Sequence, residues 1–347
     1  MSNDADFSGP GSRLIHLVPG HALDNKLSGA FKDVWSRIEW FKQNFADYRL
    51  IPVQDDDPSL LDGVFGSSEA PYDVLVEYSC FPRLVESIRQ RVPFSRISVR
   101  CHNIEPLQYL DNEGWFPRTG NLRLVYGMAR LAWQDWRTKS RADRLLCIND
   151  WEISSYWKRL PGRASMAWLP YRCPDYLIPA APLPYADRRL IACLPTSQKN
   201  RKSVDLVSRF LNLAAKMRRE GSQMEFVLTG SLDHWGMDRS SVVRYVGIVE
   251  DLADLLGECA AVCVLSPLGH GYKTTIGDAL AAGAHAVVHP KLHARCPSAV
   301  RGHLLQADTA DPKSINRLMD ELKVAPGTED LGASIEKRFQ EVMAETF

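Results

Sequence analysis

Short apolar runs of strand length recur along the chain, each followed by a helical pattern, and this alternation restricts the fold more than any other feature. RLIHLV (13–18), YRLIPV (48–53), DVLVEYS (73–79), RISVRC (96–101) and DRLLCIN (143–149) form one set. RLIACLP (189–195), MEFVLTG (224–230), VVRYVG (242–247), AAVCVLS (260–266) and AHAVVHP (284–290) form a second. Strands alternating with helices mark βαβ units, and runs that are apolar almost throughout suit parallel strands covered on both faces. Between the sets, YRCPDYLIPAAPLPYADRR carries Pro174, Pro179, Pro182 and Pro184 and can continue neither helix nor sheet. The expectation is an α/β protein of two doubly wound domains, residues 1–185 and 186–325, with 326–347 a helix packing back toward the first. Ligands of such sheets bind at the carboxyl ends of the strands, so a cleft between the domains is the default site.

A length of 347 residues agrees with two domains. Lysine plus arginine number 42 and aspartate plus glutamate 42, so no global field draws the chain to nucleic acid. No run approaches the ~18 apolar residues that span a bilayer, and MSNDADFSGPGSR lacks the apolar core of a secretion signal; a cytoplasmic location is expected. The eight cysteines are scattered, mostly in apolar runs, and read as reduced core thiols. His285, His289, His293 and Cys296 are close in sequence, but Pro290 breaks any common helical face. They read as core and loop residues, and no metal site is expected.

The stretch LGHGYKTTIGDALAAG (268–283) joins a strand to a helix. Gly269 and Gly271 let the backbone turn tightly and approach a ligand. The helix start offers unpaired N–H groups, Thr274 and Thr275 add hydroxyls, and Lys273 adds a full charge. Such a turn, including His270 and Tyr272, suits a phosphate. Asp278, about one turn into the helix, can accept hydrogen bonds from sugar hydroxyls beside it. The same residues also suit an ordinary helix start, where threonine, glycine and an early acid are common.

The segment YVGIVEDLADLLGECAAVCVLSPLGHGYKTTIGDALAAGAHAVV resembles the donor-binding core of the GT-B glycosyltransferases, above all the retaining family numbered four. Gly247, Asp251, Leu252, Ser266, Pro267, Gly271, Lys273, Ala279, Leu280, Ala281 and Gly283 follow that family's order. VRCHNIEPLQY (99–109) resembles its strand-end His-Asn-Ile-Glu segment, and RADRLLCINDWEISSYWKR (141–159) its Ala-Asp, strand, Ser/Asn-x-x-Glu unit. The resemblance implies a nucleotide-diphosphate sugar as donor and sugar transfer to an acceptor hydroxyl with retention, without an obligate metal or cofactor. It places Asp278 at the donor ribose and His102 near the reacting sugar. Lys199 or Lys202 is expected to neutralise the departing phosphate, the kind of stabilisation that dominates such reactions. The family's two glutamates separated by seven residues are here His270 and Asp278. Its arginine after the first strand of the second domain has no counterpart in LPTSQKNRKSVD.

Two alternatives stand beside transfer: a catalytically silent relative serving as scaffold or partner subunit, and a nucleotide-sugar epimerase or phosphorylase on the same fold. In WFPRTGNLRLVYGMARLAWQDWRTKSRADR, Trp115, Trp133 and Trp136 mix with Arg123, Arg130, Arg137, Lys139 and Arg141. That mixture suits peripheral contact with an anionic membrane surface and equally a half-buried helix with a solvated arginine face.

Overall fold

Each of the apolar runs forms a strand, and all pairings between named strands are parallel. The computed structural model describes residues 13–23, 28–65, 71–113, 121–195, 200–230 and 240–347. The first sheet contains β1 (Arg13–Pro19), β2 (Asp47–Val53), β3 (Tyr72–Glu77), β4 (Arg96–Cys101), β5 (Arg144–Cys147) and β6 (Ser165–Trp168), in the order β2-β1-β3-β4-β5-β6. The second contains β7 (Leu190–Cys193), β8 (Glu225–Thr229), β9 (Val243–Gly247), β10 (Cys259–Val264), β11 (His285–Val288) and β12 (Leu304–Gln306), in the order β12-β11-β10-β7-β8-β9. The sequence pattern misses β6 and β12 for one reason. Both are edge strands of three or four residues, too short to show a period.

The helices are α1 (Gly29–Asn44), α2 (Pro82–Arg91), α3 (Glu105–Glu113), α4 (Asn121–Arg141), α5 (Asp150–Ser155), α6 (Arg201–Arg219), α7 (Leu252–Glu258), α8 (Thr274–Ala281), α9 (Pro290–His293), α10 (Ser298–Arg301), α11 (Pro312–Glu321) and α12 (Glu329–Thr346). Their caps are local: Ser28 Oγ accepts from Phe31 N–H at the start of α1, and Asp251 accepts from Ala253 and Asp254 N–H at the start of α7.

One face of the first sheet packs Val74, Val76, Ile97 and Leu145 against Leu84, Val85 and Ile88 of α2. On the opposite face Leu14, Leu75 and Leu146 meet Trp40 and Phe41 of α1 and Phe339, Val342 and Met343 of α12. The chain therefore returns after its second sheet to complete the core of the first. The second sheet is likewise covered on both faces, with Phe210, Leu213 and Met217 of α6 on one and Ile276, Ala279 and Leu280 of α8 on the other.

Strand order fixes where a ligand can sit. In the second sheet the chain runs outward one way from β7 through β8 to β9 and the other way from β10 to β12, so the crevice opens between the carboxyl ends of β7 and β10. The loop leaving β10 is the glycine loop. Across it lie the carboxyl ends of the first sheet.

Phe339 is fully buried at the junction of α12 with the first sheet. Phe339→Ala is expected to lower unfolding stability by about 3–5 kcal/mol. A urea titration checks this, and an unchanged midpoint would contradict the docking of α12.

Candidate active site

Helix α1 ties the site together through three consecutive contacts. Lys32 Nζ lies 2.6 Å from Asp278 Oδ2 on α8, joining the two halves. Asp33 takes Arg100 Nε and Nη2 at 3.0 and 2.9 Å and Arg37 Nη1 at 3.0 Å. Arg37 also donates to both oxygens of Glu77 at 2.8 Å. Glu77 further meets His16 Nε2 at 2.7 Å and His102 Nε2 at 2.8 Å. The two carboxylates balance the two guanidiniums, so the histidines sit in a neutral cluster. Burial pushes Glu77 upward, but Arg37 and the His102 and His16 hydrogen bonds outweigh it and leave its carboxyl well below the usual range. Burial likewise raises Asp33, and Arg100 and Arg37 more than offset that. Burial lowers His16 and His102, against the pull of Glu77.

This cluster gives His102 protein partners at both ring nitrogens. The residue does follow a strand at the carboxyl edge, but both ring nitrogens face carboxylates, Nε2 that of Glu77 and Nδ1 that of Asp33 at 3.4 Å. Its ring stacks on Tyr78 with centroids 4.0 Å apart. Sequence spacing could not reveal this, because Asp33 and Glu77 come from other elements.

The glycine loop lies against the first half. Gly271 has φ +100°, and a Cβ there would stand 2.5 Å from the His102 carbonyl, so only glycine allows this approach. The Asn103 amide donates to His270 O at 2.7 Å and His102 O at 3.1 Å. From α3, Gln108 Oε1 accepts from His270 N–H at 3.0 Å and Asp111 Oδ2 accepts from Gly269 N–H at 2.5 Å. Asp111 also lies 3.5 Å from His270 Nε2. A carboxylate of the chain itself thus holds the loop N–H that the sequence assigns to an anion.

Three cations surround that carboxylate: Lys202 at the start of α6, Lys273 at the end of the loop and Arg295 after α9. Burial, then Lys202 and Arg295, bring Lys273 down to about 7, against the pull of Asp111 and Glu152. Burial lowers Lys202 and Arg295 too, each opposed by Asp111. Arg295 donates to Pro267 O and stands with Nη1 3.3 Å from His270 Nε2. It brings a guanidinium to the glycine loop. Nothing in the sequence marks it, since 25 residues separate it from His270.

Asp278 is fully buried, and its oxygens are held by protein donors, Oδ2 by Lys32 and Oδ1 by the Tyr171 hydroxyl at 2.6 Å. A ribose reaches it only by displacing them. Thr274 is buried against Gly29, Thr275 and Tyr272 are half-buried, and Tyr272 packs 6.1 Å from Tyr171 between ring centroids. Lys199 lies outside the described residues. His285 Nε2 bonds Val324 O, His293 Nε2 bonds Arg301 O and His289 Nδ1 caps α9. Among the described residues no group of three or more His, Cys, Asp or Glu side chains could hold a metal ion.

The Glu77 cluster has a measurable signature. Its carboxylate is depressed in the fold, so its contribution is fully present above about pH 4.5 and lost as pH falls toward the folded value. Glu77→Gln, which leaves Arg37 short of a counter-ion, is expected to cost about 3–5 kcal/mol at pH 7. In paired urea titrations that deficit should narrow below about pH 4.5; a deficit independent of pH would contradict the assignment.

No family model and no curated protein matches the chain. Solved structures do match over nearly its whole length. Sucrose-phosphate synthase from Thermosynechococcus elongatus is 12% identical with TM-score 0.62, covering 96% of each chain. HepE of Anabaena, solved with UDP, is 12% identical with TM-score 0.59, over 96% of this chain and 97% of that one. The trehalose 6-phosphate synthase of Burkholderia multivorans is 11% identical with TM-score 0.56, over 96% and 94%. With two parallel sheets facing each other across the glycine loop, the chain has the two-domain Rossmann-like architecture of the GT-B glycosyltransferases.

Proposed function

We propose that the chain is a glycosyltransferase that moves a sugar from a nucleotide-diphosphate sugar to an acceptor hydroxyl. One observation carries the reading: Lys202, Lys273 and Arg295 converge on the glycine loop at the switch point, with Asp111 of the opposite half as their nearest counter-charge. Half-buried cations crowded together cost free energy unless an anion joins them. A diphosphate supplies that anion, and UDP, present in the HepE structure, is the first nucleotide to test.

On binding, the diphosphate displaces Asp111 from Gly269 N–H and takes the helix start of α8. Domain opening separates Lys32 from Asp278 and frees that carboxylate for the ribose. As the acceptor oxygen bonds the anomeric carbon, the bond to the diphosphate breaks. The acceptor proton leaves on the nucleoside diphosphate, and the product retains its anomeric configuration. Lys202, Lys273 and Arg295 stabilise the charge that develops on the leaving group.

A second reading, a nucleotide-binding relative without turnover, is favoured by the engagement of His102 and Asp278 with protein partners. Release of UDP from UDP-glucose in the presence of acceptor separates the two.

UDP is expected to raise the melting temperature, since a ligand that binds only the folded state stabilises it by mass action. Lys273→Ala should weaken UDP by about tenfold or more, the loss of one charge-assisted contact, and Asp111→Ala should tighten it by removing the internal competitor. No shift with UDP, GDP or ADP would sink the reading.

Helix α4 bears on the acceptor's location. Leu122, Val125, Tyr126, Trp133 and Trp136 are exposed along it, with Arg123 and Arg130 among them. Lys139 is not part of that face; its ammonium is buried against the Trp157 and Leu160 carbonyls. Arg137 and Arg141 share Glu86. An aromatic face with arginines suits the interface of an anionic bilayer, although no described helix is long and apolar enough to cross one. Sedimentation with phosphatidylglycerol vesicles should carry the protein down, and Tyr126→Ala with Trp133→Ala should abolish this. Equal sedimentation of the variant would remove the contact.

A further inference from the structure

Carboxyls collect on the wall opposite the cations. Glu105 follows β4, Asp111 lies two turns further along α3, Asp135 lies on α4 and Glu152 on α5. Two of them are satisfied: Asp135 by Ser79 Oγ at 2.6 Å and Tyr156 OH at 2.7 Å, and Asp111 by the Gly269 N–H. Glu152 is not. It is 0% exposed, and among the described residues neither carboxyl oxygen has a hydrogen-bond partner. Its place is at the seam between the halves. Its neighbours along the chain dock on the second half: Asn149 donates to the Arg295 carbonyl, Asp150 accepts from Ser298 N–H at 3.2 Å, and Trp151 stacks on His270. Across the seam, Glu152 and Lys273 attract one another without an ion pair.

His270 leaves a second orphan there. Burial and Arg295 lower it to about 4, so the ring is neutral at pH 7. Because Arg295 donates to Nε2, the proton belongs on Nδ1, which is buried with no acceptor. A buried polar group left unmade costs stability, and this seam holds two, a carboxyl and an imidazole N–H. Sugar hydroxyls, each both donor and acceptor, satisfy both. A second phosphate does not. Among the described residues of this wall, Arg37 and Arg100 are spent on Asp33 and Glu77. The cations of the opposite wall are taken by the donor.

Resting on the donor site proposed above, we infer that the acceptor is an uncharged or amine-bearing sugar rather than a phosphate ester, its hydroxyls held between the Glu152 carboxyl and the His270 Nδ1–H. Burial, with Glu105 and Asp135 adding to it against Arg100 and Lys273, raises Glu152 well above the usual carboxyl range. A carboxyl kept protonated can both donate to and accept from a hydroxyl. A phosphate brought beside this carboxyl finds the guanidiniums of its own wall already paired.

The test uses the full chain with UDP, then UDP-glucose. At equal millimolar concentration, glucose, methyl glucoside and glucosamine are compared with glucose-6-phosphate and glucosamine-6-phosphate, by added melting shift over UDP alone and by UDP release. The unphosphorylated sugars should add a shift and release UDP, and the phosphates should do neither. A phosphate ester performing as well as its parent sugar, or no response to any unphosphorylated sugar, overturns the inference. A shift with GDP or ADP in place of UDP moves the same comparison to that nucleotide and its glucose ester; absence of a shift with all three is a separate failure, of the donor-site reading, and takes this inference with it. Glu152→Leu removes an unsatisfied buried carboxyl and should raise the melting temperature by about 2 °C or more, keep the UDP shift and lose the acceptor response. The isosteric Glu152→Gln guards against misfolding and should weaken acceptor binding by about tenfold with the UDP shift intact. Either variant retaining the full acceptor response would overturn the role of Glu152.

Discussion

The buried pair between Lys32 and Asp278 is the contact on which the arrangement of the molecule depends. It joins α1 of the first half to α8 of the second at 2.6 Å, with Tyr171 closing the other side of the carboxylate. Breaking one partner of such a pair typically costs several kcal/mol, because the survivor remains buried and charged. The next residue along α1, Asp33, and the one a turn later, Arg37, anchor the same helix to Glu77 and Arg100 beneath the first sheet. One helix face therefore transmits the position of the Glu77 cluster to the glycine loop. Any ligand that claims Asp278 must compete with Lys32, which couples ribose binding to the separation of the halves.

The closed cleft is held by the chain's own side chains. Asp111 stands where a phosphate oxygen would accept from Gly269 N–H, and Gln108 occupies the next N–H. These contacts satisfy the loop while the cations stay desolvated and depressed. Among the described residues nothing satisfies Glu152 or the His270 Nδ1–H. Stability alone would favour leucine at position 152, as replacing a buried orphan by an apolar group is commonly neutral or stabilising. A group that costs stability at the seam of two domains is the kind expected where a ligand completes the structure.

Much of the fold was legible because parallel strands buried on both faces read as continuous apolar runs. The glycine loop was legible because Gly269 and Gly271 both adopt positive φ, which few other residues tolerate. The partners of the site were not. Lys32, Asp111, Glu152 and Arg295 reach the cleft from four separate elements, and none carries a local pattern that distinguishes it from a surface charge. His102 was legible at a strand end but its partners were not, since the carboxylates come from α1 and β3. Arg295, which stands beside the glycine loop, lies on a segment far from the loop after β7. Spacing within one segment reports local geometry; charge pairing across elements requires the fold.

The central claim is that the glycine loop and its three cations form a diphosphate site now filled by Asp111. A crystal structure of the chain grown with UDP tests it most directly. The account predicts the diphosphate against the N–H groups of Gly269 and His270, within reach of Lys273, with Asp111 withdrawn and Asp278 turned from Lys32 to the ribose. UDP bound elsewhere, or bound with Asp111 still on Gly269 N–H, would contradict it.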